Sequence, residues 1–542
     1  MFPNNLENGN EKKSFIISHL EDYDISPKTG FLQSTPPLRC LPDTYYEPWE
    51  NLIDNFHNLL LTGRLRESVG MLPILRTDKL KNSAEYKRAF LVLSILAHGY
   101  VRGKYDESVI DSIPACIAIP WVKISDYLNV APVMNHAALT LWNWRLISPD
   151  EEPSLNNLAT LMTFTNTIDE SWFYLVTIVI ECIGGKALTA IISAIQSAHD
   201  KNNRQLIESL KTISSTIDEI TKVLLRIYEK CDSYIFYQKI RPYLSGWYND
   251  EDLPNGLKYE GVDGCDENGN PTYRQYGGGS AGQSSLIQSL DIALNIEHHP
   301  TVTKPITNNI NNYKYSHEPS NETLSNNYNN TSKKGQNIQQ QQQQPYIYKI
   351  RQNIPGNHRR FLEDLTKAAI IRDYIISCIE CDGDMEIDGK LDSSKIAENN
   401  ELVEAYNDCL NKMAIFRSKH LQIVCVYIIQ ARNKSSKVEL DSNNKDVTNG
   451  AVTSGSIING SITNVRGTGG TDLMPFLKQM REETKSKEIK NFKGSSDFKE
   501  QKKITRTFLL NNFGFEGKET LLKRDSHELI GSIWCRSSKT KI

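Results

Sequence analysis

The longest apolar stretch of the chain, WFYLVTIVIECIGGKALTAIISAI, most strongly limits what the chain can fold into. It covers residues 172–195, which is long enough for a membrane span, but Glu181 and Lys186 lie near its middle. Charged side chains are expensive at the centre of a bilayer. Gly184 and Gly185 stand between the two charges and weaken a helix there. We therefore expect a buried helix, broken at the two glycines, in a soluble protein with no membrane partner.

The remaining composition narrows the class of protein. The first 15 residues, MFPNNLENGNEKKSF, lack the apolar core of a secretory signal, so a cytoplasmic protein is expected. The net charge of −3 gives no reason to expect nucleic acid as a partner. Cys378 and Cys381 form a C-x-x-C pair without the second pair that a zinc tetrahedron needs. The acidic segment 382–389 lacks the central Gly and the closing Glu of a calcium loop and is interpreted as a solvated loop.

Helical periodicity recurs along the chain, whereas strand-type alternation is sparse, so the predicted fold class is all-α. The periodic segments are residues 49–60, 84–100, 172–195, 205–230, 284–296 and 402–430. Asn143 and Trp144, followed by the polar sequence LISPDEEPS, predict the end of a small N-terminal helical domain at about residue 150. A large helical domain then covers residues 151–483.

Three polar segments are predicted to stay outside any packed core. Residues 298–345 are rich in Asn and Ser and include six consecutive glutamines, and residues 433–466 are rich in Ser, Asn and Gly. The tail, residues 484–542, is basic. These compositions bury too little apolar surface to offset the entropy of ordering the chain, so low-complexity insertions and a disordered tail are expected.

A histidine lies at the centre of an apolar helix face in FRSKHLQIVCVYI, residues 416–428. The face is formed by Met413, Phe416, His420, Ile423, Val424 and Tyr427 at helical spacing. One interpretation is a core histidine hydrogen-bonded to a backbone carbonyl. The other is an axial ligand of haem iron, with Arg417 one turn earlier to meet a haem propionate.

The glycine-rich stretch GGGSAGQSSLIQSLDIAL, residues 277–294, presents backbone with little side-chain bulk. Such a surface lets a flat ligand approach closely. A phosphate-binding loop is a weaker interpretation because the Lys-Ser/Thr pair of that motif is missing. A flexible turn before a helix remains the simplest one.

Five motifs together resemble the indoleamine 2,3-dioxygenase family. They are SWFYLV at 171–176, RPYLSGW at 241–247, GGSAGQSS at 278–285, RSKHLQIV at 417–424 and GTGGTDLM at 467–474. The resemblance covers residues 14–483 without the two polar insertions, and the Gln- and Asn-rich insertion suggests a fungal member. It implies an all-helical protein in which the small N-terminal domain covers a large domain that binds haem b.

The resemblance also implies residues that bind the cofactor. His420 is implied to be the proximal ligand of the haem iron. Arg417 and Asp291 are implied to lie near a propionate, Trp247 beside the haem edge, and Ser280 on a platform above the ring.

For the substrate, the resemblance implies an aromatic residue against the indole, Phe236, and a guanidinium for the carboxylate, Arg241. The other implied substrate contacts are Phe173, Thr177, Ser280, Ala281 and Thr468. No residue is implied to act as a general acid or base. Because Arg241 precedes Pro242, the sequence also predicts that a helix ends there.

Four positions depart from the family pattern: His136 replaces a Tyr, Leu139 a Cys, Thr177 a Ser and Lys419 a Tyr. His136 could be mistaken for a second axial ligand, but a six-coordinate iron would have no place for oxygen. These departures bear on substrate affinity.

The implied activity is cleavage of the indole C2–C3 bond of L-tryptophan by O2, giving N-formylkynurenine. This reaction would open the kynurenine pathway toward NAD synthesis and would need an electron donor to keep the iron ferrous. A monomer is expected. Two rival interpretations are a haem protein of the same fold that stores or senses O2, and a helical scaffold whose polar insertions bind partners.

Overall fold

Helices form nearly all of the regular structure, which confirms the predicted all-α class. The computed structural model describes residues 17, 19–104, 107–301, 345–384, 393–433 and 466–490. Its α-helices are α1 (Glu47–Asp54), α2 (Phe56–Leu61), α3 (Leu65–Gly70), α4 (Ser83–Arg102), α5 (Ala115–Leu128), α6 (Ile168–Ile183), α7 (Gly185–His199), α8 (Asn203–Leu225), α9 (Ser233–Ile235), α10 (Arg241–Leu244), α11 (Ser285–Ala293), α12 (Tyr346–Lys349), α13 (Gly356–Ala368), α14 (Ile371–Asp384), α15 (Ser393–Val424) and α16 (Leu473–Ser486).

Short elements complete the described chain. The 3₁₀ turns are Leu20–Tyr23, Thr44–Tyr46, Arg226–Glu229, Ala281–Gln283 and Ile350–Asn353. Three π-helical segments are Ala137–Leu141, Phe236–Ile240 and Cys425–Gln430. The strands are β1 (Ser112–Ile113), β2 (Trp144–Leu146), β3 (Leu158–Thr160) and β4 (Lys258–Tyr259). β1 pairs with β4 in parallel, and β2 pairs with β3 in the antiparallel direction. The two short sheets hold loops together and do not form a layer of the core.

The apolar stretch folds as expected from its two glycines. α6 ends at Ile183, Gly184 is the cap, and α7 begins at Gly185. A Cβ on Gly185 would approach Lys28 O to 2.9 Å, so the break lets the N-terminal segment lie directly on the helix. The pair is long and apolar enough for a membrane span, but 67% of its most apolar window is buried inside the protein. It is therefore a core element.

The core around the site is built from long helices that pack side by side. α8 packs against both α7 and α15, and α16 packs on α15. α11, which follows the glycine-rich stretch, packs against α7 and α13. The described residues up to 488 form one compact unit, and a domain boundary at residue 150 stays a prediction.

Each of the three predicted polar segments included at least one residue at its end that belongs to the folded chain. His298, Arg466 and Thr484 all make defined contacts with the folded chain, and Thr484 is fully buried. The supposed solvated loop 382–389 begins inside α14, which continues to Asp384. The remainder of that loop, residues 302–344 and 434–465, and the tail from 491 lie outside the described residues.

Candidate active site

His420 lies near the end of α15 on the apolar face that the sequence predicted. Its side chain is half-buried, and within the described residues neither ring nitrogen has a hydrogen-bond partner. Burial, with a smaller effect of Arg417, lowers the pKa of His420 to about 4. The imidazole is therefore neutral at physiological pH, the form that ligates iron. The alternative of a core histidine bonded to a backbone carbonyl has no support in this geometry.

Arg417, one turn before His420, is buried against the far end of α11. Its Nη2 donates to both carboxylate oxygens of Asp291, at 2.6 and 2.7 Å. Its Nη1 donates to Met480 O at 3.0 Å and to the Thr484 hydroxyl. Burial alone would raise the pKa of Asp291, but Arg417 and His298 hold it below its usual value. The forked end of Arg417 is thus used within the protein, and Nε is the donor left without a partner among the described residues.

The glycine-rich stretch forms a close-packed backbone platform, because side chains would not fit there. A Cβ on Gly278 would overlap Leu244 O and the Gly246 nitrogen, and one on Gly279 would lie 2.6 Å from Leu139 Cδ1. Ser280 caps the following 3₁₀ turn by accepting from Gly282 N at 3.3 Å. Ser280 is half-buried and Ala281 is exposed, so this turn presents small residues to open space.

An aromatic wall joins α6 to the end of the His420 helix. The rings of Phe173 and Phe236 lie 4.8 Å apart, and the ring of Phe236 lies 5.7 Å from that of Tyr427, seven residues after His420. Thr177 lies one turn along α6 and donates to Phe173 O at 3.0 Å. Phe173 and Thr177 remain half-buried although the residues between them are mostly core.

Arg241 does not end a helix, as the sequence predicted, but continues one. The π-helical segment before it widens the turn, so that the Arg241 N–H donates to Phe236 O, five residues back. A wider turn accommodates the missing N–H and the bulky ring of Pro242. Such π-bulges occur frequently at functional sites. This one begins at Phe236 and ends directly before Arg241, so both predicted substrate contacts belong to the same segment.

The Arg241 guanidinium has no anionic partner among the described residues. Its Nη2 donates to Arg466 O, and its Nε is fully buried without a hydrogen-bond acceptor. Burial lowers the pKa of Arg241 below its usual value. A buried guanidinium without a carboxylate is costly unless a ligand supplies the negative charge.

The GTGGT loop lies directly on the platform. Thr468 donates its hydroxyl to Gly279 O, and its carbonyl accepts from Gly246 N at 3.3 Å and Gly278 N at 3.1 Å. Tyr346 holds the next residue by donating to Gly469 O at 2.9 Å. The loop therefore packs on the glycines directly before Ser280 and Ala281.

Trp247 lies behind the platform in an aromatic cluster. It is fully buried, its ring lies 4.7 Å from that of His98, and its Nε1 has no acceptor among the described residues. Its backbone N–H donates to Tyr276 O at 2.9 Å, next to the glycines. The predicted position of Trp247 at the edge of a haem stays a prediction.

His136 makes a buried polar contact that the sequence did not predict. Its Nε2 lies 2.8 Å from Glu181 Oε1, which also accepts from the Ser284 hydroxyl at 2.5 Å. The His136 backbone N–H donates to Gln283 Oε1 at 2.9 Å. Glu181, the charge that interrupts the apolar stretch, thus anchors the end of the platform through Ser284. The Nε2 atom of His136 is already hydrogen-bonded to Glu181.

Some of the predicted site residues contact one another or the platform directly, in separate pairs. Arg417 meets Asp291, Phe173 meets Phe236, and Thr468 meets the residue before Ser280. Sequence reasoning missed His298 and Glu483, which extend the Arg417–Asp291 pair. The four-residue spacing of Gln479 and Glu483 on one helix face was the available signal.

Comparison with known proteins decides the family. A family model described as indoleamine 2,3-dioxygenase matches residues 19–487. The chain belongs to the indoleamine 2,3-dioxygenase family. It is 33% identical to indoleamine 2,3-dioxygenase of Saccharomyces cerevisiae over 87% of this chain and 94% of the relative. It is 30% identical to a 6-hydroxytryptophan 2,3-dioxygenase of Fusarium equiseti over 86% and 97%, and 29% identical to indoleamine 2,3-dioxygenase 1 of Rattus norvegicus over 86% and 95%. The protein is accordingly an enzyme of the oxidoreductase class.

The residues present fit the haem that this family implies. His420 offers a neutral imidazole without a protein partner, and Arg417 offers Nε one turn away on the same helix. Gly278 and Gly279 pack against the backbone of residues 244–246 and against Leu139, so they fix the position of the turn that carries Ser280 and Ala281. Among the described residues, no group of three or more His, Cys, Asp or Glu could hold a separate metal ion.

Gly278→Ala is expected to disrupt the platform and to lower the amount of bound haem. The added methyl group would overlap backbone atoms, which cannot yield as a flexible side chain can. The free energy of unfolding should fall by about 1–3 kcal/mol, as for other overpacked sites. Gly264→Ala is the matched control because nothing lies within 4 Å of its Cβ. Absorbance of haem per protein and thermal denaturation measure both effects, and equal values for the two variants would contradict this role.

Proposed function

We propose that this enzyme cleaves the indole C2–C3 bond of L-tryptophan with O2 to give N-formylkynurenine. Haem b ligated by His420 would, with ferrous iron, supply the oxygen chemistry. The observation that carries the proposal is the Arg241 guanidinium, which has a buried Nε and no anionic partner among the described residues and lies five residues after Phe236 of the Phe173–Phe236 wall. A substrate that combines an aromatic ring with a carboxylate would pack its ring against the phenylalanines and pair its carboxylate with Arg241. Relatives of this chain include an indoleamine 2,3-dioxygenase and a 6-hydroxytryptophan 2,3-dioxygenase, and their names support this class of substrate.

The side chains of the site contribute mainly by positioning. Arg241 binds the carboxylate through paired, charge-assisted hydrogen bonds and so fixes where the indole lies. Phe173 and Phe236 confine the ring. The Thr468 loop covers the platform and excludes water, which strengthens the contact with Arg241. No side chain is required as a general base.

The wider role is part of the same proposal. N-formylkynurenine would open the kynurenine pathway and feed NAD synthesis. The enzyme would act in the cytoplasm as a monomer, with a separate electron donor that keeps the iron ferrous. An oxygen store or sensor of the same fold would have no use for an arginine that has a buried Nε and no anionic partner in the described chain, in the same segment as Phe236.

A comparison of L-tryptophan with tryptamine, which lacks the carboxylate, tests the proposed substrate. We expect product from L-tryptophan and a catalytic efficiency at least about 100-fold lower for tryptamine, because tryptamine leaves the buried cation unpaired. The catalytic efficiency with each substrate is measured from oxygen uptake and from the absorbance of the product, with the reduced, haem-loaded enzyme. Equal efficiencies would mean that Arg241 does not contact a carboxylate, and no turnover of either would favour the oxygen-binding alternative.

A further inference from the structure

His298 lies between two carboxylates that belong to different helices. Its Nε2 is 3.0 Å from Asp291 Oδ2 on α11, and its Nδ1 is 2.7 Å from Glu483 Oε2 on α16. The His298 side chain is 7% exposed. A neutral imidazole has one N–H and one lone pair, so one of the two carboxylates would then face a lone pair. With both carboxylates ionised, only the imidazolium form of His298 can donate to the two of them.

The charges around the ring balance only when it is protonated. The groups that face it are Asp291 on α11, Glu483 on α16 and Arg417 on α15, with Glu297, His299 and Lys487 at the edge. Arg417 and His298 then offset Asp291 and Glu483. Loss of the proton would leave one buried negative charge without a partner, which is costly.

The bridge ties together three elements that carry the site. α11 follows the Ser280 platform, α15 carries His420, and α16 begins directly after the Thr468 loop. Glu483 is fixed further by His299 N at 2.9 Å and by Gln479 Nε2 at 2.7 Å. Arg417 reaches the same helix through Met480 O. Any movement of α16 would therefore be passed to the loop.

We propose that His298 is a positioning residue, an imidazolium bridge that holds α16 on α11 and thereby keeps the Thr468 loop over the substrate. For its effect on turnover, this inference rests on the proposed function. Burial alone would lower the pKa of His298, but Asp291 and Glu483 outweigh it and raise the pKa to about 9. Because the pKa is raised on folding, the stabilisation is complete below the ordinary pKa of about 6.5 and is lost as pH rises through about 9.

The test compares the parent enzyme with His298→Gln from pH 6 to pH 10. At pH 7 we expect the variant to show a KM for L-tryptophan raised roughly 2- to 30-fold, the range for residues that couple to a site from a distance. The ratio of the two KM values should fall toward one above about pH 9. The substrate ammonium titrates in this range as well, but equally for both proteins, so the ratio reports His298. A ratio that is the same at every pH would overturn the proposal.

Two further variants make the test specific. His298→Lys keeps a positive charge and should restore most of the low KM at pH 7, whereas His299→Gln, at the exposed neighbour, should behave as the parent. A readout without turnover is the midpoint of thermal denaturation of the haem-loaded protein. The parent should exceed His298→Gln at pH 7 and lose that advantage above about pH 9. If L-tryptophan is not a substrate, the proposed function fails while this comparison still decides on the bridge, and an advantage independent of pH would refute it.

Discussion

Replacing His420 with alanine is expected to abolish stable haem binding. The imidazole is half-buried, neutral at physiological pH and without a protein partner among the described residues, so its removal leaves an apolar helix face with no ligand for iron. Because no polar contact within the protein is lost, the fold should survive. We expect an apoprotein with normal helical circular dichroism and with the haem absorbance band reduced to background.

Ser418→Ala is the matched control for this change. Ser418 lies two residues from His420 on the same helix, and its hydroxyl bonds to Ala414 O within that helix. The control should keep full haem content. Added imidazole should restore part of the absorbance in His420→Ala by occupying the vacated space. Stoichiometric haem with an unchanged spectrum in His420→Ala would rule out the proximal assignment.

Arg241→Ala is expected to retain haem and to lose turnover of L-tryptophan. Truncation removes the cation that the substrate carboxylate would meet in a buried site. Breaking a buried, charge-paired contact from one side costs about 3–5 kcal/mol. This corresponds to a loss of roughly two to three and a half orders of magnitude in kcat/KM. Steady-state kinetics with L-tryptophan, together with haem content, measure the change.

Two comparisons separate a substrate contact from a structural arginine. Lys239→Ala removes an exposed positive charge two residues earlier and should leave kcat/KM within a few-fold of the parent. Indole analogues without a carboxylate should bind Arg241→Ala about as well as the parent, since they never used the guanidinium. A parallel fall in haem content, stability and affinity for all ligands would instead indicate that Arg241 only holds the loop through Arg466.

The sequence predicted the features that depend only on neighbouring residues in the chain. The break at Gly184 follows from two adjacent glycines, and the face around His420 follows from helical spacing. The family resemblance supplied the predicted residues of the site, which periodicity alone could not have selected. The prediction that a helix ends at Arg241 was wrong because the rule for residues before proline assumes an α-helical turn, and here a π-helical turn relieves the clash.

Contacts between distant residues escaped prediction for a different reason. Composition averages over a window, so His298 and Thr484 were assigned to polar segments although each has a specific buried partner. Glu181 was recognised as a charge within an apolar stretch, but its partner His136 lies 45 residues earlier. Such partners follow from how helices pack, which a single sequence does not specify.

The most direct test of the proposed activity is a single turnover with labelled oxygen. The haem-loaded enzyme is reduced without oxygen, mixed with L-tryptophan, and exposed to ¹⁸O₂ before the product is analysed by mass spectrometry. The proposal predicts N-formylkynurenine that carries both labelled atoms, with Arg241→Ala giving almost none. Oxygen binding without product, or a product that carries a single labelled atom, would contradict the assignment as a tryptophan-cleaving dioxygenase.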